Sequence, residues 1–191
     1  GDAGPLGGEC AGVVSAVGSK VSNVRVGEAV MAVALGAFRS HVVTRADFVV
    51  RKPAGLSYEA AAGLPSVFLT ALHGLVDLAR LGPGERVLVH AAAGGVGLAA
   101  VQVARRAGAT VFGTASSEQK RAYLKAQGVA RVMDSRSLAF ADEIATATEG
   151  RGVDVILNAL SGDFIAASFS ALSPAGRFGE IGKRGIWSAA E

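Results

Sequence analysis

The chain has 191 residues, half of them apolar, enough to build a sizeable core in one to two domains. Its single cysteine, Cys10, excludes an internal disulfide and a four-cysteine zinc site and fits a reducing compartment. The formal charge of +3 comes from basic residues dispersed among acids without aromatic interleaving, and no apolar run reaches the roughly 18–20 residues of a membrane helix, so neither a nucleic-acid nor a membrane partner is expected.

The 26 glycines lie scattered through apolar segments without a repeat period, which marks them as turn residues. Up to about residue 52, short valine-rich runs separated by Gly18, Gly27 and Gly36 have the spacing of strands in a small barrel or sandwich. Ser57 then precedes a helix-like run. A second run, with apolar residues at Val67, Leu69, Leu72, Leu75, Val76 and Leu78, predicts a mostly buried helix that ends at "GPGE", residues 82–85.

From Arg86 the chain alternates strand and helix. Strands are predicted at 86–91, 110–115, 130–134, 153–159 and 176–181, and helices at 95–107, 117–127, 138–148 and 162–172. The strands are near-continuous apolar runs, as a parallel sheet covered on both faces requires. In the first of these helices Val96, Ala99, Ala100, Val103, Ala104 and Ala107 form one stripe and leave Gln102, Arg105 and Arg106 outward.

Between the first strand and that helix lies "AAAGGVG", in which Ala92, Gly94 and Gly97 fit the A/G-x-G-x-x-G spacing, with Gly95 and Val96 between them. The first position allows a tight turn, the second lets backbone approach a pyrophosphate, and the third lets the helix press against the strand. Position after a strand and ahead of an amphipathic helix is the context the motif needs. About 20 residues on, where an NAD-binding unit places a carboxylate for the ribose hydroxyl, the sequence reads "TASSEQKR". Ser116 and Ser117 can donate to a phosphate there, and Lys120 and Arg121 can neutralise it, which favours NADPH. The alternative for the two cations is a solvated helix face.

The stretches "GLPSVFLTALHGLVDLARLGPGERVLVHAAAGGVGLAAVQVARRAGA", "RGVDVILNALSG" and "GRFGEIGK" resemble the enoylreductase domains of modular polyketide synthases and of animal-type fatty acid synthase, in the zinc-independent medium-chain dehydrogenase/reductase superfamily. The likeness runs from about Leu6 to Trp187. It implies an α/β fold: a Rossmann-type doubly wound parallel sheet at 61–191, preceded at 1–60 by part of a GroES-like β substrate domain. It also implies a cytoplasmic, NADPH-dependent reduction of a trans-2-enoyl thioester on an acyl carrier protein, with hydride added to C3 and a proton to C2, next to other polyketide synthase domains.

By the same resemblance, the glycine loop with Ser116, Lys120 and Arg136 binds the cofactor phosphates, Thr70 lies near the nicotinamide, and Asn158 and Leu160 flank the cofactor's path. Lys183 follows Gly182 at the carboxyl end of the last strand, where ligands of open α/β sheets bind. The matching family lysine is proposed to donate the proton or hold the enolate; the alternative is a loop lysine that meets cofactor or solvent.

Some positions depart from the family pattern. Leu72 and His73 stand where two tyrosines are frequent, and His73 reads as a packing residue. Glu9, in "GGEC", reads as a support of the β domain rather than part of a zinc site. The family's substrate domain and last strands extend past both ends of this sequence, so it reads as an internal portion of a multidomain enzyme. A free-standing NADPH quinone oxidoreductase and a non-catalytic structural remnant are the rival readings.

Overall fold

The structure, a computed structural model, describes residues 4–188; the domain limits expected at residues 1 and 191 lie outside that range. Two units part between Leu69 and Thr70.

In the first unit, β1 (Glu9–Val13), β2 (Ala29–Val33) and β3 (Val49–Arg51) form an antiparallel sheet in that order, with Glu9 opposite Val33 and Val30 opposite Arg51. Val30 and Ala32 alternate into the core with the two-residue period of a half-buried strand. The barrel or sandwich expected up to residue 52 is therefore one small sheet among the described residues. Other valine-rich segments lie in loops, where Val17, Val26 and Val43 are exposed. Ser57 caps α1 (Tyr58–Ala62), its hydroxyl accepting the Ala60 N–H at 3.2 Å. Glu9 supports α2 (Pro65–Leu72) in a specific way: its carboxylate accepts the Ser66 N–H at 2.7 Å in the helix's first turn, where the dipole favours an anion.

The helix expected through Leu78 changes character at His73. Residues His73–Leu78 are π-helical, with the Ala79 N–H bonded to the Gly74 carbonyl at 3.1 Å. The buried face is Ala71, Gly74, Leu75 and Ala79, at i, i+3, i+4 and i+8, while Leu69 is 54% and Leu78 67% exposed, and Leu72 and Val76 are exposed too. The mostly buried helix is thus corrected to one with a narrow buried stripe. A Cβ at Gly74 would lie 3.1 Å from Leu157 Cδ1, a tight contact that the leucine side chain would have to relieve. His73 does not pack; it is exposed and faces Asp77 at 3.2 Å.

The second unit is a parallel sheet of β4 (Arg86–Val89), β5 (Thr110–Ala115), β6 (Arg131–Asp134), β7 (Val153–Asn158) and β8 (Leu172–Glu180) in the order β6-β5-β4-β7-β8. The connecting helices are α3 (Gly95–Arg106), α4 (Glu118–Ala126), α5 (Phe140–Ala147) and α6 (Asp163–Ser170). Right-handed crossovers in this order put α3 and α4 on one face and α5 and α6 on the other, the doubly wound arrangement.

On the second face Leu88, Phe112, Met133, Phe140, Ile144 and Ile156 form a continuous buried cluster. Each fully buried side chain of that size contributes about 1.5–3 kcal/mol. The expected strand 176–181 instead starts at Leu172, with a register irregularity opposite Val153–Val155. Pro174 falls in the stretch 173–176 that this irregularity leaves without partners on β7, and β8 lies at the edge of the described sheet, so its missing N–H breaks no ladder bond.

Candidate cofactor-binding site

The strand order reverses at β4, the place where open α/β sheets bind ligands at their carboxyl ends. Around it gather the Ala91–Gly97 loop after β4, Ser116 after β5, Asp134 ending β6, Asn158 ending β7 and Glu180 ending β8.

The turn out of β4 is made by Ala91, at φ 48, whereas the motif reading assigned the tight turn to Ala92. The Ala91 carbonyl accepts the Gly94 N–H at 2.8 Å, and Ala92 is buried against the sheet, its N–H donating to the Thr114 carbonyl at 2.9 Å. Gly97 presses on this turn so closely that a Cβ would lie 2.4 Å from the Ala91 oxygen and 2.5 Å from Ala92 Cα. Leu98 is the first helical residue whose N–H returns to the chain, to the Gly94 carbonyl at 2.8 Å. Among the described residues the N–H groups of Gly95, Val96 and Gly97 have no acceptor, no side chain caps α3, and its first turn holds no acid. Three unpaired donors at the positive end of a helix suit a pyrophosphate.

At the end of β5, Ser117 is the N-cap of α4. Its oxygen accepts the Lys120 N–H at 3.3 Å, which leaves its hydroxyl hydrogen free to donate. Ser116 is half-buried, and Lys120 is exposed with no side-chain partner among the described residues. Arg121 is committed to protein, reaching the Ala115 carbonyl at 3.2 Å and Asp134 at 3.4 Å. Arg136 is exposed, its N–H donating to Asp134 at 2.9 Å. No carboxylate belongs to the β5–α4 junction before Glu118, so the junction presents hydroxyls and an exposed ammonium.

Asn158 is fully buried. Its amide donates to the Leu160 carbonyl at 2.8 Å and to Glu180 at 2.7 Å, and its oxygen accepts the Leu160 N–H at 3.2 Å. The second Glu180 oxygen accepts the Gly182 N–H at 2.5 Å. Sequence reasoning named Asn158, Leu160 and Gly182 but not Glu180, which joins them; only its place in "GEIGK" hinted at it. Lys183 leaves this knot exposed, without a hydrogen bond or ion pair among the described residues. Thr70 is half-buried in α2, at the start of the second unit.

His90, also unassigned from sequence, is buried behind the glycine loop, and burial pushes its imidazole down to about 4. Burial and the neighbouring Glu9 charge push the Cys10 thiol up, away from nucleophilic reactivity. Among the described residues no group of His, Cys, Asp and Glu could hold a metal ion, and no helix is long and apolar enough to cross a membrane.

The sequence model of a family described as zinc-binding dehydrogenase matches residues 95–189. A phenolphthiocerol/phthiocerol polyketide synthase of Mycobacterium tuberculosis is 48% identical over 97% of this chain, which spans 8% of that relative's length. The crystal structure of CurK enoyl reductase superposes with a TM-score of 0.93 at 50% identity, over 97% of this chain and 56% of that one. A mycobacterial protein solved in complex with NADPH superposes with a TM-score of 0.87 at 30% identity, over 98% of this chain and 60% of that one. The nucleotide-binding subdomain of the enoylreductase domain of PpsC from Mycobacterium tuberculosis, 48% identical, has 73% of its length covered by 65% of this chain, with a TM-score of 0.62. With a Rossmann-type sheet, an open glycine loop at its switch point and near-half identity to these domains, the chain belongs to the enoylreductase domains of polyketide synthases, within the medium-chain dehydrogenase/reductase superfamily.

Proposed function

We propose that this chain forms the NADPH-binding part of an enoylreductase that reduces a trans-2-enoyl thioester carried on an acyl carrier protein, beside the other domains of a polyketide synthase. The observation that carries the reading is the α3 N-terminus, where the Gly95, Val96 and Gly97 N–H groups lack acceptors among the described residues, in a turn closed too tightly for any side chain at Gly97. These donors hold the pyrophosphate. Ser116, the Ser117 hydroxyl hydrogen, Lys120 and Arg136 hold the 2′-phosphate; Thr70, Asn158, Leu160 and Gly182 border the remaining path. NADPH, when bound, supplies a hydride for C3 of the enoyl group.

Lys183 acts at the other end of the reaction. Its exposed ammonium, unpaired among the described residues, delivers a proton to C2 or braces negative charge on the thioester oxygen. The knot of Asn158, Glu180 and Gly182 fixes the backbone from which Lys183 projects.

The test is an assay of the enoylreductase domain carrying this sequence, at the full length of its solved relatives, with NADPH and either a crotonyl thioester or a quinone. NADPH consumption that depends on the thioester supports the proposal. Quinone turnover without thioester reduction favours a quinone oxidoreductase, and turnover of neither favours a structural remnant.

A further inference from the structure

Behind the glycine loop a buried chain of hydrogen bonds runs from Ala91 to α6, and its hydrogens can be assigned one by one. The Ser168 oxygen lies 2.6 Å from the Phe164 carbonyl, which has no hydrogen to give, so the Ser168 hydroxyl donates there. Ser168 can then only accept from His90 Nε2, 2.9 Å away, which puts the imidazole proton on Nε2. In a neutral imidazole the other nitrogen is an acceptor, so His90 Nδ1 takes the Thr114 hydroxyl hydrogen at 3.1 Å. With its only hydrogen committed, Thr114 Oγ1 turns a lone pair to the Ala91 N–H at 3.3 Å. His90, Thr114 and Ser168 are all buried, and the imidazole edge is held against Phe140 with ring centres 5.0 Å apart. The opposite tautomer would set the Nε2 lone pair against a Ser168 lone pair, because the Ser168 hydrogen is held by the Phe164 carbonyl.

The hydrogen-bond chain ends at a residue with positive φ. Ala91 sits at φ 48, in the left-handed region that L-residues disfavour, and its carbonyl closes the turn that opens α3. We propose that His90 is a positioning residue: as the Nε2-protonated tautomer it orients the Thr114 hydroxyl, which holds the Ala91 N–H and so fixes the turn presenting the donors of Gly95, Val96 and Gly97. This role rests on reading the loop as the nucleotide site, but the tautomer and the turn can be measured without nucleotide.

The experiment has three readouts on the full chain. Nitrogen-15 NMR of the nucleotide-free protein at pH 7 should show His90 neutral and protonated on Nε2. Amide exchange at Ala91 should speed up on the order of tenfold in Thr114→Val and in His90→Gln, whose amide serves Ser168 but offers nothing to Thr114. NADPH affinity should fall by a similar factor in both variants. Thr114→Ser and His90→Asn, which keep the hydroxyl and an acceptor at the Nδ1 position, should stay near the unsubstituted protein in both measurements. An Nδ1-protonated imidazole overturns the proposal, and so do unchanged exchange and affinity in Thr114→Val and His90→Gln. Failure of a variant to fold leaves the tautomer as the deciding observation. If the unsubstituted chain binds no NADPH, the nucleotide reading falls, while the tautomer and the Ala91 exchange rate still decide the role of His90.

Discussion

Glu180 accepts the Asn158 amide at 2.7 Å with one oxygen and the Gly182 N–H at 2.5 Å with the other, so a single carboxylate ties the end of β7 to the loop that carries Lys183. Glu180→Ala removes both acceptors and leaves the buried Asn158 amide with one partner fewer. Urea unfolding should show a loss of about 1–3 kcal/mol, and Glu180→Gln, which keeps one acceptor, should lose less. An alanine variant as stable as the unsubstituted protein would show that the knot carries no net energy.

Gly97→Ala should be among the most damaging single-atom additions in the chain. The new methyl would meet the Ala91 oxygen at 2.4 Å and Ala92 Cα at 2.5 Å, both backbone atoms that no side-chain rotation can move. Overpacking of this kind costs roughly 1–3 kcal/mol. A lowered melting temperature together with loss of nucleotide binding is expected. A stable Gly97→Ala variant that binds normally would mean that the turn shifts freely, contrary to its closed hydrogen bonds.

The buried imidazole makes a pH prediction with a definite sign. His90 titrates at about 4 in the folded protein, because burial disfavours its charged form, against an ordinary 6.5 when unfolded. The unfolded chain therefore binds the proton first. The stabilisation is fully present above pH 6.5 and is lost as the pH falls toward 4. Between pH 7 and 4.5 the His90 contribution is on the order of 2–3 kcal/mol. Unfolding measured at both pH values should show His90→Asn losing that much less on acidification than the unsubstituted protein. Identical pH slopes would contradict neutral burial.

Most of the second unit was legible because its signals are local. Near-continuous apolar runs gave β5 and β7, and the alanine and valine stripe of α3 matches the buried Ala99, Ala100, Val103 and Ala104. The misjudged regions have local signals that point the wrong way. Leu69, Leu72 and Val76 share a face at i, i+3 and i+7, the apolar spacing of a buried helix side, yet the side that packs carries the small residues Ala71, Gly74 and Ala79 with Leu75. "SPAG" at 173–176 reads as a turn, but an edge strand accommodates its proline. His90 and Glu180 escaped notice because their roles depend on partners far away in sequence: Thr114 at 24 residues and Ser168 at 78 for His90, and Asn158 at 22 for Glu180.

If Lys183 delivers the proton or braces the enolate, Lys183→Ala in the full-length enoylreductase domain should lower kcat for a crotonyl thioester and leave NADPH affinity nearly unchanged. General acid catalysis contributes about 10²- to 10⁴-fold, and a loss within that range is expected, smaller if water substitutes as the acid. A variant with normal kcat and a raised KM for NADPH would reassign Lys183 to cofactor contact.

The central claim, that the glycine loop and the β5–α4 junction together hold NADPH, is tested most directly by titrating the protein and its Lys120→Glu variant with NADPH and with NADH. Lys120 is exposed, and its side chain is unpaired among the described residues, in the turn that follows Ser116 and Ser117. The account predicts tighter binding of NADPH by the unsubstituted protein and loss of much of that preference in Lys120→Glu, where a carboxylate repels the 2′-phosphate by on the order of 1–3 kcal/mol. Equal affinity for the two nucleotides in the unsubstituted protein, or a preference untouched by Lys120→Glu, would contradict it.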